Sequence, residues 1–182
     1  MKRQTKGRGI RLLGLDPGLK RTGWGVIEAD DNHLSFVSCG LICADPKAPL
    51  PERLAAIFDE LTALIERFGP AEAAVEETFV NKNPNSTLKL GQARGIALLA
   101  PARAGLDVAE YAPNLVKKTV VGVGHAAKQQ VQMMVQTILP QSAVESEDES
   151  DALAVAICHA HHRATARRLA QAHRLAHMRA AE

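Results

Sequence analysis

The sequence predicts a mixed α/β domain: one five-stranded sheet, part antiparallel meander and part parallel strands, flanked by helices. Three observations predict it. Short β-forming segments crowd the first 43 residues with only brief turns between them, which favours an antiparallel meander. From Glu52 the apolar residues recur at three and four, the stripe of a helix that packs on a sheet. After Pro70 short strand-like segments alternate with helical ones, which favours parallel strands joined by crossovers. The 182 residues, 46% of them hydrophobic, suit one compact domain with a sizeable core.

Taken in order, residues 10–16 form a nearly continuous apolar run that ends in Asp16 and a Pro17-Gly18 turn. Thr22–Glu28 reads as a second strand and Leu34–Cys43 as a third. Pro46, Pro49 and Pro51 are expected to break the chain. Leu54, Ile57, Phe58, Leu61, Leu64, Ile65 and Phe68 then share one helix face, which Gly69-Pro70 terminates. Ala73–Glu76 is a short strand leading into the loop "TFVNKNPNS". Leu88 to about Ala104 is helical and Asp107–Tyr111 is the next strand. Val116–Val121 fits either element, and Gly122 and Gly124 open a flexible loop. Lys128–Leu139 is helical up to Pro140, and a long last helix begins near Asp148. Residues 10–162 form the expected domain. Basic extensions at 1–9 and 163–182 are expected to be mobile.

Net charge is only +2, but its distribution is uneven. Lys2, Arg3, Lys6, Arg8 and Arg11 meet no acid in residues 1–11. Glu145, Glu147, Asp148, Glu149 and Asp151 meet no base in residues 141–151. Arg163, Arg167, Arg168, Arg174 and Arg179 face one acid, Glu182. Separated blocks of opposite sign suggest a polyanion-binding surface around an acidic focus. Cys39, Cys43 and Cys158 make no CxxC pair and no even disulfide set, the pattern of free thiols in a reducing cytoplasm. No apolar run approaches the ~20 residues of a membrane span, and the basic start precedes too short an apolar stretch for a signal peptide.

The carboxylates carry the chemistry. Asp16 ends the first strand and Glu76 the fourth, while Asp148 and Asp151 stand three apart at the start of the last helix and so share a face. Each has an ordinary explanation alone: a turn cap, an exposed strand end, a helix cap, a dipole partner. If the first and fourth strands are neighbours, all four converge, and converging carboxylates repel unless protonated or bound to cations. All-oxygen donors suit Mg²⁺ or Mn²⁺ rather than zinc. Four acids suffice for two ions about 3.5–4 Å apart, the arrangement that runs phosphoryl transfer in nucleases and polymerases.

These motifs resemble the RuvC family of Holliday-junction resolvases, the crossover junction endodeoxyribonucleases. "GLDPGLKRTGWGVI" resembles the family's first strand-turn-strand, and "AVEETFVNKNPNSTLKLGQARG" its fourth strand, DNA-contacting loop and following helix. "YAPNLVKKTVVGVGHAAKQQVQ" resembles its basic loop and helix, and "DESDALAVAICHAH" its acidic last helix. The match runs from about Ile10 to His162. The resemblance implies an RNase H-like fold, a homodimer, and Mg²⁺-dependent paired nicking of four-way DNA junctions in recombination and repair. It also implies cooperation with the branch-migration proteins RuvA and RuvB. By motif, Asp16, Glu76, Asp148 and Asp151 are the catalytic, metal-binding acids. Phe79 is the residue that stacks on junction bases, and Lys117 and Lys128 contact phosphate.

Phe79 sits in a polar, Asn-rich loop, where base stacking contributes ~1–3 kcal/mol. Lys117, Lys118 and Lys128 lie in an acid-free stretch, residues 111–140, and Lys82, Lys89 and Arg94 extend the basic track. Gly91 and Gly95, four apart in a helix, suit close packing within the chain or across a dimer interface. A two-fold dimer matches the symmetry of a four-way junction. Five of seven histidines fall at His159 and beyond and read as helix surface or tail. Three other readings share parts of the pattern: a ribonuclease H cutting RNA–DNA hybrids, an actin-like ATPase, and a non-catalytic junction-binding protein. The chain is too short for the two domains of an actin-like ATPase.

Overall fold

The computed structural model describes the backbone of residues 9–78 and 84–180, with side chains as far as Arg163 in the last helix. Five strands are described: β1 (Ile10–Asp16), β2 (Arg21–Asp30), β3 (His33–Cys43), β4 (Glu72–Glu76) and β5 (Asp107–Tyr111). They form one sheet in the order β3-β2-β1-β4-β5. The first three pair antiparallel as the short turns require, and β1, β4 and β5 run parallel. The crossovers pass through α1 (Leu50–Phe68) and α2 (Pro84–Arg103), and α3 (Pro113–Val121), α4 (Lys128–Ile138) and α5 (Glu147–Ala180) follow.

Strand alternation divides the core into two layers. Leu13, Leu15, Ala73 and Val75 face α1 and α2, packing with Ile57, Leu61, Ala93 and Ala97. Leu12, Ile27 and Ala74 face the other helices, packing with Val116, Val131, Val135, Leu153 and Ile157. Residues Ala152–Cys158 of α5 are entirely buried, because the helix lies directly on β1 and β2. Gly14 permits that approach: a Cβ there would stand 2.6 Å from the backbone nitrogen of Ala156 and 2.9 Å from its Cβ.

Several elements differ from the sequence reading. Leu50 and Pro51 open α1 instead of breaking the chain, since proline suits the first helical turn, where the missing N–H has no partner to lose. The ambiguous stretch at Val116–Val121 is helical, again led by a proline, Pro113, with Gly122 in the left-handed conformation at its end (φ 92°). The C-terminal segment after residue 162 continues α5 to Ala180 and forms no separate tail in its backbone. His159 is buried rather than on the helix surface.

Candidate active site

Period-two alternation aims Asp16 and Glu76. In β1, Leu12, Gly14 and Asp16 face α5, and in β4, Glu72, Ala74 and Glu76 do the same. The parallel register pairs Leu15 with Val75, so the next residue on each strand, Asp16 and Glu76, lies side by side at one edge. The sheet topology therefore meets the condition that the first and fourth strands be neighbours.

The start of α5 brings the other two acids. Ser146 and Glu149 form a capping box: the Glu149 amide donates to Ser146 Oγ (3.3 Å) and the Ser146 amide donates to Glu149 Oε2 (2.9 Å). The Glu145 amide also donates to Glu149 Oε2 (2.8 Å). The cap is thus supplied without Asp148 or Asp151. Gly23, the pairing partner of Asp16, lets the helix start close in: a Cβ on Gly23 would stand 2.7 Å from the Asp148 carbonyl carbon. The "SEDE" run at Ser146–Glu149 carries this capping signal in the sequence, and the sequence reading missed it.

The electrostatics match a crowded, half-dry carboxylate group. Burial, then the charges of Asp151 and Asp148, push the Asp16 carboxyl up to about 7, against the pull of Lys128. Burial, then Asp16 and Asp151, push Glu76 up to about 8, against Lys117 and Lys128. Asp151 is also raised, chiefly by burial, with Asp148 and Glu147 adding to it and Lys128 and Lys117 opposing. Asp16, Glu76 and Asp151 each feel neighbouring carboxylates, and two lysines oppose them.

Two ion pairs rim this group. Arg21 Nε stands 2.8 Å from Asp148 Oδ2, and Lys128 Nζ donates to Glu147 Oε2 at 2.8 Å. Among the described residues, no group of three or more His, Cys, Asp or Glu side chains is gathered tightly enough to hold a metal ion. The acids are near enough to perturb one another but are not drawn to a common point. The donor set itself fits hard divalent cations: carboxylate oxygens alone, partly desolvated, with an excess of negative charge that two lysines only partly offset.

Not every expected contact residue joins the site. Lys117 and Lys128 do. Lys118, on another face of α3, lines a groove with Leu115, Thr119, His161 and His162. Lys89 is exposed on α2, and Arg94 is held by the Glu110 carboxylate of β5. Phe79 and Lys82 lie outside the described residues. A buried polar network was also missed by the sequence reading. Glu72 is only 1% exposed, 3.0 Å from His159 Nε2 and 2.5 Å from Arg163 Nη2, while Tyr111 Oη lies 2.9 Å from His159 Nδ1. The alternation of β4 carries the signal, since it aims Glu72 inward together with Glu76.

Comparison with known proteins gives one family. Residues 12–159 match the family model described as crossover junction endodeoxyribonuclease RuvC. The crossover junction endodeoxyribonuclease RuvC of Xanthobacter autotrophicus is 64% identical over 159 residues, 87% of this chain and 94% of that protein. That of Rhodopseudomonas palustris is 61% identical over 160 residues, 88% of this chain and 92% of that protein. Among solved structures, Thermus thermophilus RuvC in complex with a Holliday junction substrate superimposes with a TM-score of 0.78 at 34% identity. The match covers 83% of this chain and 93% of that one. The fold is therefore the RNase H-like one that the motifs implied.

Proposed function

Because the chain belongs to the RuvC family of crossover junction endodeoxyribonucleases, we propose that it resolves four-way DNA junctions by nicking two symmetry-related strands in a divalent-metal-dependent hydrolysis. The observation that carries this reading is the elevation of Asp16 and Glu76 by burial and by Asp151, opposed by Lys128 at both and by Lys117 at Glu76. Carboxylates so crowded are ligands awaiting a cation, and the lysines beside them suit a phosphate.

In this reading Asp16, Glu76, Asp148 and Asp151 supply the oxygen ligands for Mg²⁺, or Mn²⁺ in its place, with two ions per subunit. When bound, such ions lower the pKa of the attacking water and stabilise charge on the leaving 3′-oxygen. Lys117 and Lys128 hold the phosphate against the negative site and offset its charge. The sheet edge keeps Asp16 and Glu76 in fixed relation. The capped start of α5 does the same for Asp148 and Asp151, so orientation is set before DNA arrives. Phe79 stacks on bases opened at the crossover.

We further propose a homodimer. The outer face of α2 supports it: Leu88, Gly91, Gly95 and Leu99 form a stripe, the two leucines 67% and 47% exposed, and nothing lies within 4 Å of a Cβ built on either glycine. Residues 10–162 would be the nuclease domain, working in the cytoplasm with RuvA and RuvB as the family resemblance implies. No described helix is long and apolar enough to cross a membrane. The deciding experiment is cleavage of a labelled mobile four-way junction, with and without Mg²⁺, by the wild type and Asp16→Asn, beside an RNA–DNA hybrid of the same sequence. Paired, metal-dependent nicks in the junction that vanish in the variant are expected. Preferential cutting of the hybrid would overturn the reading.

A further inference from the structure

We propose that Arg21 is an exchange residue: it holds Asp148 in the DNA-free protein and passes to a DNA backbone phosphate when the junction binds, which releases the Asp148 carboxylate to a metal ion. The inference rests on the metal-ligand reading of Asp148 given above.

The geometry supports both halves. Arg21 binds Asp148 Oδ2 at 2.8 Å through Nε, the inner nitrogen of its guanidinium. Its side chain is 54% exposed against 26% for Asp148, which leaves the guanidinium open to solvent. An arginine presents a planar fork of donors that suits carboxylate and phosphate equally. Arg21 opens β2, just after the Pro17-Gly18 turn. It therefore stands on the hairpin side of the acids, whereas Lys117 and Lys128 approach from α3 and α4.

A guanidinium on Asp148 competes with a divalent ion for the same carboxylate and repels it. The pair is half-exposed, so its worth is that of a surface ion pair. Freed of it, the site should take metal more tightly by about two- to five-fold. Once a phosphate draws Arg21 away, Asp148 is released, so DNA and metal favour each other's binding through one side chain. The neighbouring Lys128–Glu147 pair stands beside it, 2.8 Å apart, and the charge of Arg21 also reaches Glu147.

The test uses two readouts other than nicking. Mn²⁺ binding to the DNA-free, full-length protein is measured by electron paramagnetic resonance for the wild type, Arg21→Gln, Arg21→Lys and Asp148→Asn. Junction binding is measured in EDTA across a salt series for the same proteins, and thermal melts verify folding. Arg21→Gln should bind Mn²⁺ two- to five-fold more tightly, and its junction affinity should lose about 0.9 from the log–log salt slope, the signature of one phosphate contact. Arg21→Lys should keep the salt slope. Unchanged or weaker Mn²⁺ binding in Arg21→Gln, or an unchanged salt slope, overturns the exchange. If Asp148→Asn leaves Mn²⁺ binding intact, it is the metal-ligand reading that falls.

Discussion

Replacing Asp16 with asparagine separates the electrostatic account of the site from simple loss of activity. Asp16 ionises near 7 in the folded protein instead of at its ordinary 3.8. Each unit of that rise corresponds to ~1.4 kcal/mol of preference for the protonated form. The folded state therefore binds more protons than the unfolded one between about pH 4 and pH 7, and stability falls as pH climbs through that window. The accumulated cost reaches ~4 kcal/mol by pH 8 and is below ~1 kcal/mol at pH 4. Asparagine has nearly the same shape and never ionises. In metal-free buffer the variant should match the wild type at pH 4 and exceed it by up to ~4 kcal/mol at pH 8. In a chain of this size that amounts to a melting shift on the order of 10 °C. Calorimetry in EDTA at pH 4, 6 and 8 measures it, and junction nicking should meanwhile drop by several orders of magnitude. A stability gap that stays flat with pH would refute the claim that burial and neighbouring acids raise Asp16.

Because Asp16 and Glu76 hold protons up to about 7 and about 8, Mn²⁺ affinity should climb up to ~100-fold per pH unit below pH 7, where two protons must leave, ~tenfold per unit between pH 7 and pH 8, and level off above pH 8; titrations at four pH values test this. Lys117→Ala and Lys128→Ala should each lower the rate of nicking more than they lower junction affinity, because both lysines face the acids; single-turnover kinetics beside binding curves decide it. Gly14→Ala should cost ~3 kcal/mol or prevent folding, since the new methyl meets the backbone of α5, as urea denaturation will show. Gly95→Arg should yield a monomer in sedimentation velocity with secondary structure unchanged, as its position is open.

The elements that sequence reading located best carry strong periodic patterns. β1 and β5 fall at the expected residues, and the stripe of α1 ends at Gly69, left-handed at φ 55°. It failed where one residue type has two uses. Proline was taken as a breaker at Pro51, where it instead begins a helix. The site was readable as four acids because strand ends and an acidic helix start are visible in the sequence, and the β1–β4 pairing then brings two of them together. The partners of those acids were not readable. Arg21 sits in a hairpin and Asp148 far along the chain, and only the close seating of α5 on Gly23 joins them. Arg94 looked like one more cation in a basic track until the fold set Glu110 against it. His159 was grouped with the other C-terminal histidines as helix surface or tail, whereas the fold buries it between Glu72 and Tyr111.

The Glu72–His159–Arg163 network fastens the middle of α5 to the start of β4, while Asp148 and Asp151 sit at the N-terminal end of the same helix. Two anchorages on one rigid rod leave no slack in residue count between them. A single inserted residue between Asp151 and His159 would turn one end ~100° relative to the other and advance it ~1.5 Å. Either the carboxylates would swing away from the strand ends, or Glu72 would be stranded in the interior without its partners. Indels in this segment should therefore be far less tolerated than point substitutions among its buried alanines.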